Sequence, residues 1–237
     1  MKKLFFAFAV LGVLALIALT SSLMIGGFRS ESADSSAQVS RDRQRAKRNV
    51  AIFIHEGVEL LDFSGPGEVF ASAARSEAFN VYTVSATADE ITSQRFVTIK
   101  PQYTFANCPP PDIIVLPGGR TDVPLADSKV IEWIKKSSER AEVLMSVCTG
   151  AFLLAESGLL DGKEATTHWS AIESLKQQAP KTTVRENRRF VDNGKIVTAA
   201  GVSAGIDAAL HVVDRLLGRE VAQKTARYME YRWEPES

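Results

Sequence analysis

Short, uninterrupted runs of apolar residues recur along the chain from about residue 49 onward, separated by stretches with helical spacing. Three of these runs have the length of a strand, at residues 50–54, 80–84 and 112–116. A fourth ends at Cys148 and passes directly into a second apolar stretch. Strands buried on both faces read as continuous apolar runs, and their alternation with helices is typical of α/β proteins. The pattern predicts a doubly wound, mostly parallel sheet with helices on both faces.

Helical spacing predicts helices at residues 130–139, 204–217 and 220–231. After the first strand we expect a loop that carries Asp62 and then a helix entered through Pro66. An Asn193-Gly194 turn between apolar residues, within residues 189–197, predicts a β-hairpin. Together these elements predict one domain at residues 49–234.

The first 28 residues have a different pattern. Lys2 and Lys3 precede a stretch without charged residues that continues to Phe28. At ~1.5 Å per residue, a helix of that length spans a bilayer. We therefore predict a signal anchor at residues 1–28 that attaches the protein to the membrane, with a cleaved signal peptide as the alternative.

Residues 29–48 are predicted to be a flexible linker, rich in serine at first and then basic. Lys2 and Lys3 favour a domain on the extracytoplasmic side, whereas the basic residues of the linker favour the cytoplasmic side. We expect an extracytoplasmic domain. A secreted or periplasmic product after cleavage and a cytoplasm-facing domain are the alternatives.

Composition excludes several classes of function. The 28 basic and 28 acidic residues cancel, so no domain-wide basic field is present to bind nucleic acid. Two cysteines cannot form a disulfide framework. No spacing of His, Cys, Asp or Glu fits a zinc or calcium site, and the glycine-rich segment at residues 200–205 lacks a P-loop lysine and a dinucleotide fingerprint. We expect neither a metal nor a cofactor.

The junction at Cys148 has the pattern of a nucleophile elbow. Ser146 and Gly150 stand two residues before and two after the cysteine, as a sharp turn from strand to helix requires. A helix that starts near Thr149 would lower the pKa of the thiol through its dipole. The alternative is that Cys148 is a small buried hydrophobic residue. The junction favours a reactive thiolate.

Two further segments follow predicted strands and are expected near Cys148, because the carboxyl ends of parallel strands share one edge of a sheet. Gly118-Gly119 follows the run at 112–116 and can offer backbone N–H groups to developing negative charge. Asp62 lies among apolar neighbours, where a carboxyl either caps a turn or has a raised pKa.

Several motifs, in order, resemble the ThiJ/PfpI family of the class I glutamine amidotransferase-like superfamily. They lie at residues 61–66, 116–119, 146–150, 158–162, 165–169 and 198–205. Within that family the likeness is to isocyanide hydratases and to the amidase-like domains of AraC-type regulators. The resemblance implies a flavodoxin-like fold, a homodimer, and contact between Asp62 and Cys148. Only four residues follow Trp233, so we do not expect the regulators' helix-turn-helix or direct DNA binding.

Two residues distinguish activities within the family. Thr149 stands where protease-like members have a histidine base, which disfavours proteolysis because the leaving group needs a general acid. A threonine at position 149 resembles the isocyanide hydratases. Its hydroxyl and N–H are expected to position substrate. His168 stands where some glyoxalase-like relatives keep a histidine near the thiol, and it is either a second base or structural. His55 and His211 are expected to be structural.

The resemblance implies a cysteine-dependent hydratase or lyase that acts on a small electrophile, an isocyanide that becomes an N-substituted formamide. Catalysis is assigned to Cys148, Asp62 and His168, and substrate binding to Gly119 and Thr149. The first alternative is a glyoxalase-like enzyme that acts on α-oxoaldehydes through the same three catalytic residues. The second is a non-catalytic redox or ligand sensor, in which Cys108 would be a partner for an oxidised Cys148.

Overall fold

The computed structural model describes residues 47–235. The membrane segment predicted at residues 1–28 lies outside this range, as does nearly all of the linker predicted at 29–48. Within residues 47–235, no helix combines the length and the apolar character that a bilayer crossing needs. The membrane anchor therefore stays a prediction.

A central sheet of seven strands organises the described chain. Its strand order is β10-β11-β7-β6-β1-β2-β5, and every neighbouring pair is parallel except β10 and β11. Two small sheets, the antiparallel β3–β4 pair and the parallel β8–β9 pair, lie outside it. In chain order the strands are β1 (Arg48–Phe53), β2 (Phe79–Ser85), β3 (Ile91–Ser93), β4 (Val97–Ile99), β5 (Tyr103–Thr104), β6 (Ile113–Leu116), β7 (Val143–Val147), β8 (Glu164–Ala165), β9 (Thr183–Val184), β10 (Phe190–Asp192) and β11 (Ile196–Ala199).

Helices cover both faces of the central sheet. They are α1 (Leu60–Ser72), α2 (Asp122–Leu125), α3 (Ser128–Ser138), α4 (Ala151–Glu156), α5 (Ile172–Gln178), α6 (Ala204–Leu217) and α7 (Arg219–Tyr228). Short 3-10 turns occur at Ala73–Ser76, Cys148–Gly150 and Trp169–Ala171.

Alternate residues of β1 show how the two layers are built. Val50 and Ile52 point into a core shared with α1, α6 and α7, whereas Ala51 and Phe53 point into a core shared with α3, α4 and α5. All four side chains are buried. A strand buried on both faces needs apolar residues at every position, which is why the apolar runs predicted it. The predicted α/β class with helices on both faces is confirmed.

Element boundaries agree with the sequence pattern in several places. The helix predicted at 204–217 is α6, and those predicted at 130–139 and 220–231 are α3 and α7, with ends shifted by one to three residues. The predicted hairpin joins β10 to β11, and Asn193 N–H donates to the Ile196 carbonyl oxygen at 2.8 Å. Gly194 adopts φ +80°, which a glycine permits at this turn.

The predicted start of the helix at Pro66 is wrong. Helix α1 begins at Leu60, so Asp62 lies in its first turn and Pro66 lies inside it. The proline ring fixes a helix-compatible φ, but it removes the hydrogen bond to the carbonyl four residues earlier and crowds that carbonyl. Burial of Phe63, Val69 and Phe70 keeps the helix continuous across this point.

The β3–β4 hairpin braces the segment that leads into α1. Ser93 Oγ donates to the Val58 carbonyl oxygen at 2.7 Å, and Gly57 N–H donates to the Thr92 carbonyl oxygen at 2.9 Å. At the hairpin turn the Gln94 side chain hydrogen-bonds to the Glu59 carboxylate. The hairpin therefore fixes the residues immediately before Asp62.

The order of the sheet defines the edge where a site can form. Strands β11, β7, β6 and β1 are consecutive and parallel, so their carboxyl ends share one edge. The chain after these ends carries, in the same order, Gly201, Cys148, Gly118 and Asp62. The chain moves from one side of β1 to the other between β5 and β6, which makes this edge a topological switch point where α/β proteins bind ligands.

Candidate active site

Cys148 lies at a strained turn between β7 and the 3-10 turn Cys148–Gly150. Its φ is +57°, in the left-handed region, which costs about 1–3 kcal/mol for a residue other than glycine. Two glycines allow the turn at Cys148 to pack closely against the end of β6. A Cβ atom added at Gly150 would lie 1.9 Å from the Leu116 carbonyl oxygen, and one added at Gly118 would lie 2.9 Å from the Cys148 Cβ. The sharp turn from strand to helix predicted at Cys148 is present, and the role of Cys148 as a nucleophile stays a prediction.

The Asp62 carboxyl is completely buried and uses both oxygens. Oδ2 accepts from Gly118 N–H at 3.0 Å, and Oδ1 accepts from Val202 N–H at 2.9 Å. The Cys148 thiol lies close enough to this carboxyl for each group to shift the pKa of the other. Asp62, at the start of α1, therefore binds the segments that follow β6 and β11 and lies near the cysteine that follows β7.

Burial raises the pKa of Asp62 to about 6, although the Gly118 and Val202 N–H groups favour its ionised form. The negative charge of Glu59 acts in the same direction as burial. A carboxyl with a pKa near neutral is suited to accept and return a proton. The raised pKa expected for an acid among apolar neighbours is thus found.

The low thiol pKa predicted for Cys148 is wrong. Burial and the nearby Asp62 carboxylate raise the pKa of Cys148 to about 12, against the opposing effect of the Thr149 N–H and hydroxyl. Helix α4 has only six residues and begins at Ala151, beyond the 3-10 turn. Desolvation and a neighbouring negative charge outweigh its dipole. A raised thiol pKa favours the protonated form of Cys148, with the Asp62 carboxyl nearby as a proton acceptor.

Gly119 and Thr149 are in direct contact. Gly119 N–H donates to Thr149 Oγ1 at 3.2 Å, and that hydroxyl donates to the Gly119 carbonyl oxygen at 3.3 Å. Gly119 adopts φ +107°, and a Cβ there would lie 2.3 Å from the Gly57 carbonyl oxygen, so only glycine fits. The two predicted substrate-binding residues therefore meet beside the sulfur, whereas the N–H of Gly118 is already used by Asp62.

His168 is next to the site but makes no hydrogen bond to Cys148 among the described residues. A Cβ added at Gly201 would lie 2.9 Å from His168 Cδ2 and 3.5 Å from Cys148 Sγ, so imidazole and thiol flank the same point. The ring Nδ1 lies 2.8 Å from Ser170 Oγ. The ring and the thiol therefore both lie beside Gly201, while the ring Nδ1 is paired with Ser170.

The other two histidines and the second cysteine make their contacts outside the candidate site. His55 is buried, its pKa is lowered by that burial, and its Nδ1 lies 3.1 Å from the Glu56 carbonyl oxygen. His211 Nε2 lies 2.7 Å from Asp192 Oδ2. Cys108 and Cys148 are both free thiols and pack in cores on opposite faces of the sheet, so they do not form a disulfide with each other.

Sequence reasoning missed three residues of this site. The Val202 N–H bonds to Asp62, Glu59 contributes negative charge, and the Thr167 hydroxyl donates to the Cys148 carbonyl oxygen at 2.7 Å. The glycine-rich segment after β11 was a signal for Val202, because it follows a strand at the same sheet edge. No pattern in the sequence marks the direction of the Thr167 side chain.

The chain is similar to several known proteins. The model of the DJ-1/PfpI family matches residues 48–215. The isonitrile hydratase of Pseudomonas putida is 35% identical over 183 residues, which are 77% of this chain and 78% of that protein. The HTH-type transcriptional regulator CdhR of Pseudomonas aeruginosa is 31% identical over 111 residues, 47% of this chain but only 33% of the regulator.

A solved structure agrees with these matches. The crystal structure of a ThiJ/PfpI family protein from Pseudomonas syringae superposes with a TM-score of 0.73 at 29% identity, and it covers 81% of this chain and 78% of that chain. The family model spans most of the described residues, including Asp62, Cys148 and His168. The chain therefore belongs to the DJ-1/PfpI family.

Proposed function

We propose that the protein is a cysteine-dependent hydratase that adds water to an isocyanide to give an N-substituted formamide. The proximity of the buried Cys148 thiol to the buried Asp62 carboxyl carries this proposal, because it supplies a nucleophile and a proton carrier in one site. The engagement of His168 by Ser170 favours the carboxyl over the imidazole as that carrier. Similarity to an isonitrile hydratase supports the same substrate class.

In the first step Asp62 accepts the thiol proton while the sulfur bonds to the terminal carbon of the isocyanide. Asp62 then delivers that proton to the same carbon. The triple bond between nitrogen and carbon becomes a double bond, and the product is a thioimidate on Cys148. Transfer through Asp62 suits a thiol whose pKa is about 12, because no free thiolate has to accumulate.

In the second step water adds to the thioimidate carbon. Asp62 takes a proton from the water and returns it to the substrate nitrogen, and the resulting hydroxyl oxygen forms a carbonyl as the carbon–sulfur bond breaks. The hydroxyl proton returns to the sulfur through Asp62. The net reaction consumes one isocyanide and one water and regenerates the thiol and carboxyl.

Negative charge develops at the substrate beside Thr149 and Gly119. The Thr149 N–H and hydroxyl already favour the ionised form of the neighbouring sulfur. Their position at the turn also suits them to stabilise charge on the carbon that bonds to that sulfur. The bond from Gly119 N–H holds the Thr149 hydroxyl oxygen in place, and the hydroxyl hydrogen turns from the Gly119 carbonyl oxygen to the substrate.

The test is turnover of an aryl or cyclohexyl isocyanide by the chain that lacks residues 1–40, with the formamide measured directly. We expect turnover by the unchanged domain and by Cys108→Ala, whose thiol packs on the other face of the sheet. We expect none by Cys148→Ala. Turnover by Cys148→Ala at the rate of the unchanged domain would refute the proposal.

A glyoxalase-like activity on α-oxoaldehydes is a second candidate, and one observation favours it. His168 Cδ2 and Cys148 Sγ lie close to the same position above Gly201, so the imidazole is a neighbour of the thiol. Methylglyoxal turnover that is lost in His168→Ala, while isocyanide turnover is unaffected, would select this activity.

A further inference from the structure

The backbone carbonyl of Cys148 is held by a side chain from a distant part of the chain. Thr167 Oγ1 donates to this oxygen at 2.7 Å, across nineteen residues of sequence. Thr167 is 1% exposed and Cys148 is 9% exposed, so water does not substitute for this bond. The carbonyl also accepts from Ala151 N–H at the end of the 3-10 turn. The carbonyl group of Cys148 is therefore held by two hydrogen bonds, one from Thr167 and one from Ala151.

Thr167 is itself firmly anchored. The neighbouring Thr166 N–H donates to Thr198 Oγ1 at 2.9 Å, and both threonines are buried. Thr198 lies on β11, which pairs directly with β7, the strand that ends at the elbow. Ala165, one residue earlier, belongs to β8. The hydroxyl of Thr167 is therefore attached to the same sheet that carries Cys148.

The residue after Thr167 is His168, so one short segment contacts both sides of the pocket. The hydroxyl of Thr167 touches the backbone of the nucleophile, and the ring of His168 lies against Gly201 beside the sulfur. A shift of this segment would move the elbow carbonyl and the imidazole together. No other side chain of the described residues donates a hydrogen bond to the Cys148 carbonyl.

We propose that Thr167 is a positioning residue that holds the strained elbow at Cys148 in the conformation that keeps the sulfur against Asp62. It acts through the backbone and does not touch the substrate. The role rests on the proposed function only in that Cys148 is the nucleophile. The state of the thiol can be measured without any substrate, which separates a failure of this proposal from a failure of the proposed reaction.

The experiment compares Thr167→Val, which keeps the shape and removes the donor, with Thr167→Ser, which keeps the donor. Both are made with Cys108→Ala, so that Cys148 is the only thiol, since the chain has two cysteines. The rate of alkylation by iodoacetamide is measured against pH. The charged and titratable groups near the sulfur are Asp62 and Glu59, from the start of α1, and His168.

In Thr167→Val we expect the alkylation profile to move to lower pH, because a released elbow turns the sulfur away from the buried carboxylate that raises its pKa. We also expect kcat for the isocyanide to fall about tenfold while KM changes little, as for an interaction that orients the reacting atoms. Thr167→Ser should keep the unchanged profile. Equal profiles for Thr167→Val in the Cys108→Ala protein and for Cys108→Ala alone would overturn the proposal.

Thr225→Val is the matched control. Its hydroxyl is buried and donates to the Val221 carbonyl oxygen at 2.8 Å, but it lies in α7, away from the elbow. Loss of a buried hydrogen bond lowers stability in both valine variants, so a shift of the profile in Thr225→Val as well would count against a positioning role. If Thr167→Val does not fold, Thr198→Val replaces it, because it frees the same segment at Thr166 N–H, with the same expected shift.

Discussion

At the scale of single residues, Asp62 combines a structural and a chemical role. Its two oxygens bond to backbone N–H groups that follow β6 and β11, and its carboxyl faces the thiol that follows β7. The acid therefore fixes the walls of the site and supplies its proton carrier. A substitution at this position affects both, so its test has to separate chemistry from folding.

We expect Asp62→Asn to lower kcat by about 100-fold or more, the range in which a general acid or base contributes. The same change should move the alkylation profile of Cys148 to lower pH, because the carboxylate that raises the thiol pKa is gone. Glu68→Gln is the control, since Glu68 is an exposed carboxylate on the same helix. An unmoved alkylation profile in Asp62→Asn would contradict the assigned contact.

The pH dependence of kcat/KM follows from the pKa of about 6 for Asp62. We expect activity to fall as the pH drops through 6, because a protonated carboxyl cannot accept the thiol proton. Unfolding at this site does not explain that fall. The folded pKa lies above the ordinary value of 3.8, so protonation of Asp62 between pH 6 and pH 4 stabilises the fold. Initial rates and urea unfolding, measured from pH 5 to pH 8, check both signs.

The sequence predicted which residues meet at the site better than it predicted their electrostatics. Asp62, Gly119, Cys148 and Thr149 follow apolar runs, and parallel strands bring such ends together. The thiol pKa was wrong because it depends on burial and on a carboxylate contact, and neither distance nor solvent access is encoded in a local pattern. The Thr167 hydroxyl was missed for the same reason, since its partner is a backbone atom far away in sequence.

At the scale of elements, the sequence predicted those whose own residues are apolar, and it missed those held in place by contacts with distant parts of the chain. Strands buried on both faces, such as β1 and β6, have continuous apolar sequences and were found from the pattern. The β3–β4 hairpin was not, because its three-residue strands contain Thr92, Ser93 and Thr98 and are held by contacts with the chain at Gly57 and Val58. The start of α1 was misplaced since packing, rather than local propensity, carries that helix through Pro66.

The junction between β7 and α4 depends on the approach of Gly150 to β6. We expect Gly150→Ala to destabilise the protein by about 3 kcal/mol, because a Cβ 1.9 Å from the Leu116 carbonyl oxygen forces backbone to move. Gly67→Ala is the control. Its Cβ would meet only the end of the Ile52 side chain, at 3.1 Å, and alanine favours the helix. Urea unfolding measures both, and similar stabilities for the two variants would contradict the close approach.

At the scale of the whole molecule, residues 47–235 supply two buried cores and the complete candidate site. The location of the protein depends on the N-terminal segment, which lies outside these residues. We propose that residues 1–28 anchor the protein to the membrane with the domain on the extracytoplasmic side, and that the domain forms a homodimer as the family resemblance implies.

We expect the full chain to sediment with membranes and to resist extraction by carbonate, while the chain lacking residues 1–40 stays in the supernatant. A protease added to intact cells or spheroplasts should cleave the domain if it faces outward. Light scattering on the shortened chain should give twice the mass of one chain. Recovery of the full chain in the supernatant, protection from the protease, or a single-chain mass would contradict the corresponding part of the proposal.

The two borders of the central sheet are formed by very short strands. β5 has two residues at one border, and β10 has three and runs antiparallel to its neighbour at the other. A border this short presents few unpaired amide and carbonyl groups to a strand from another molecule. We therefore expect concentrated solutions of this domain to resist edge-to-edge growth into fibrils.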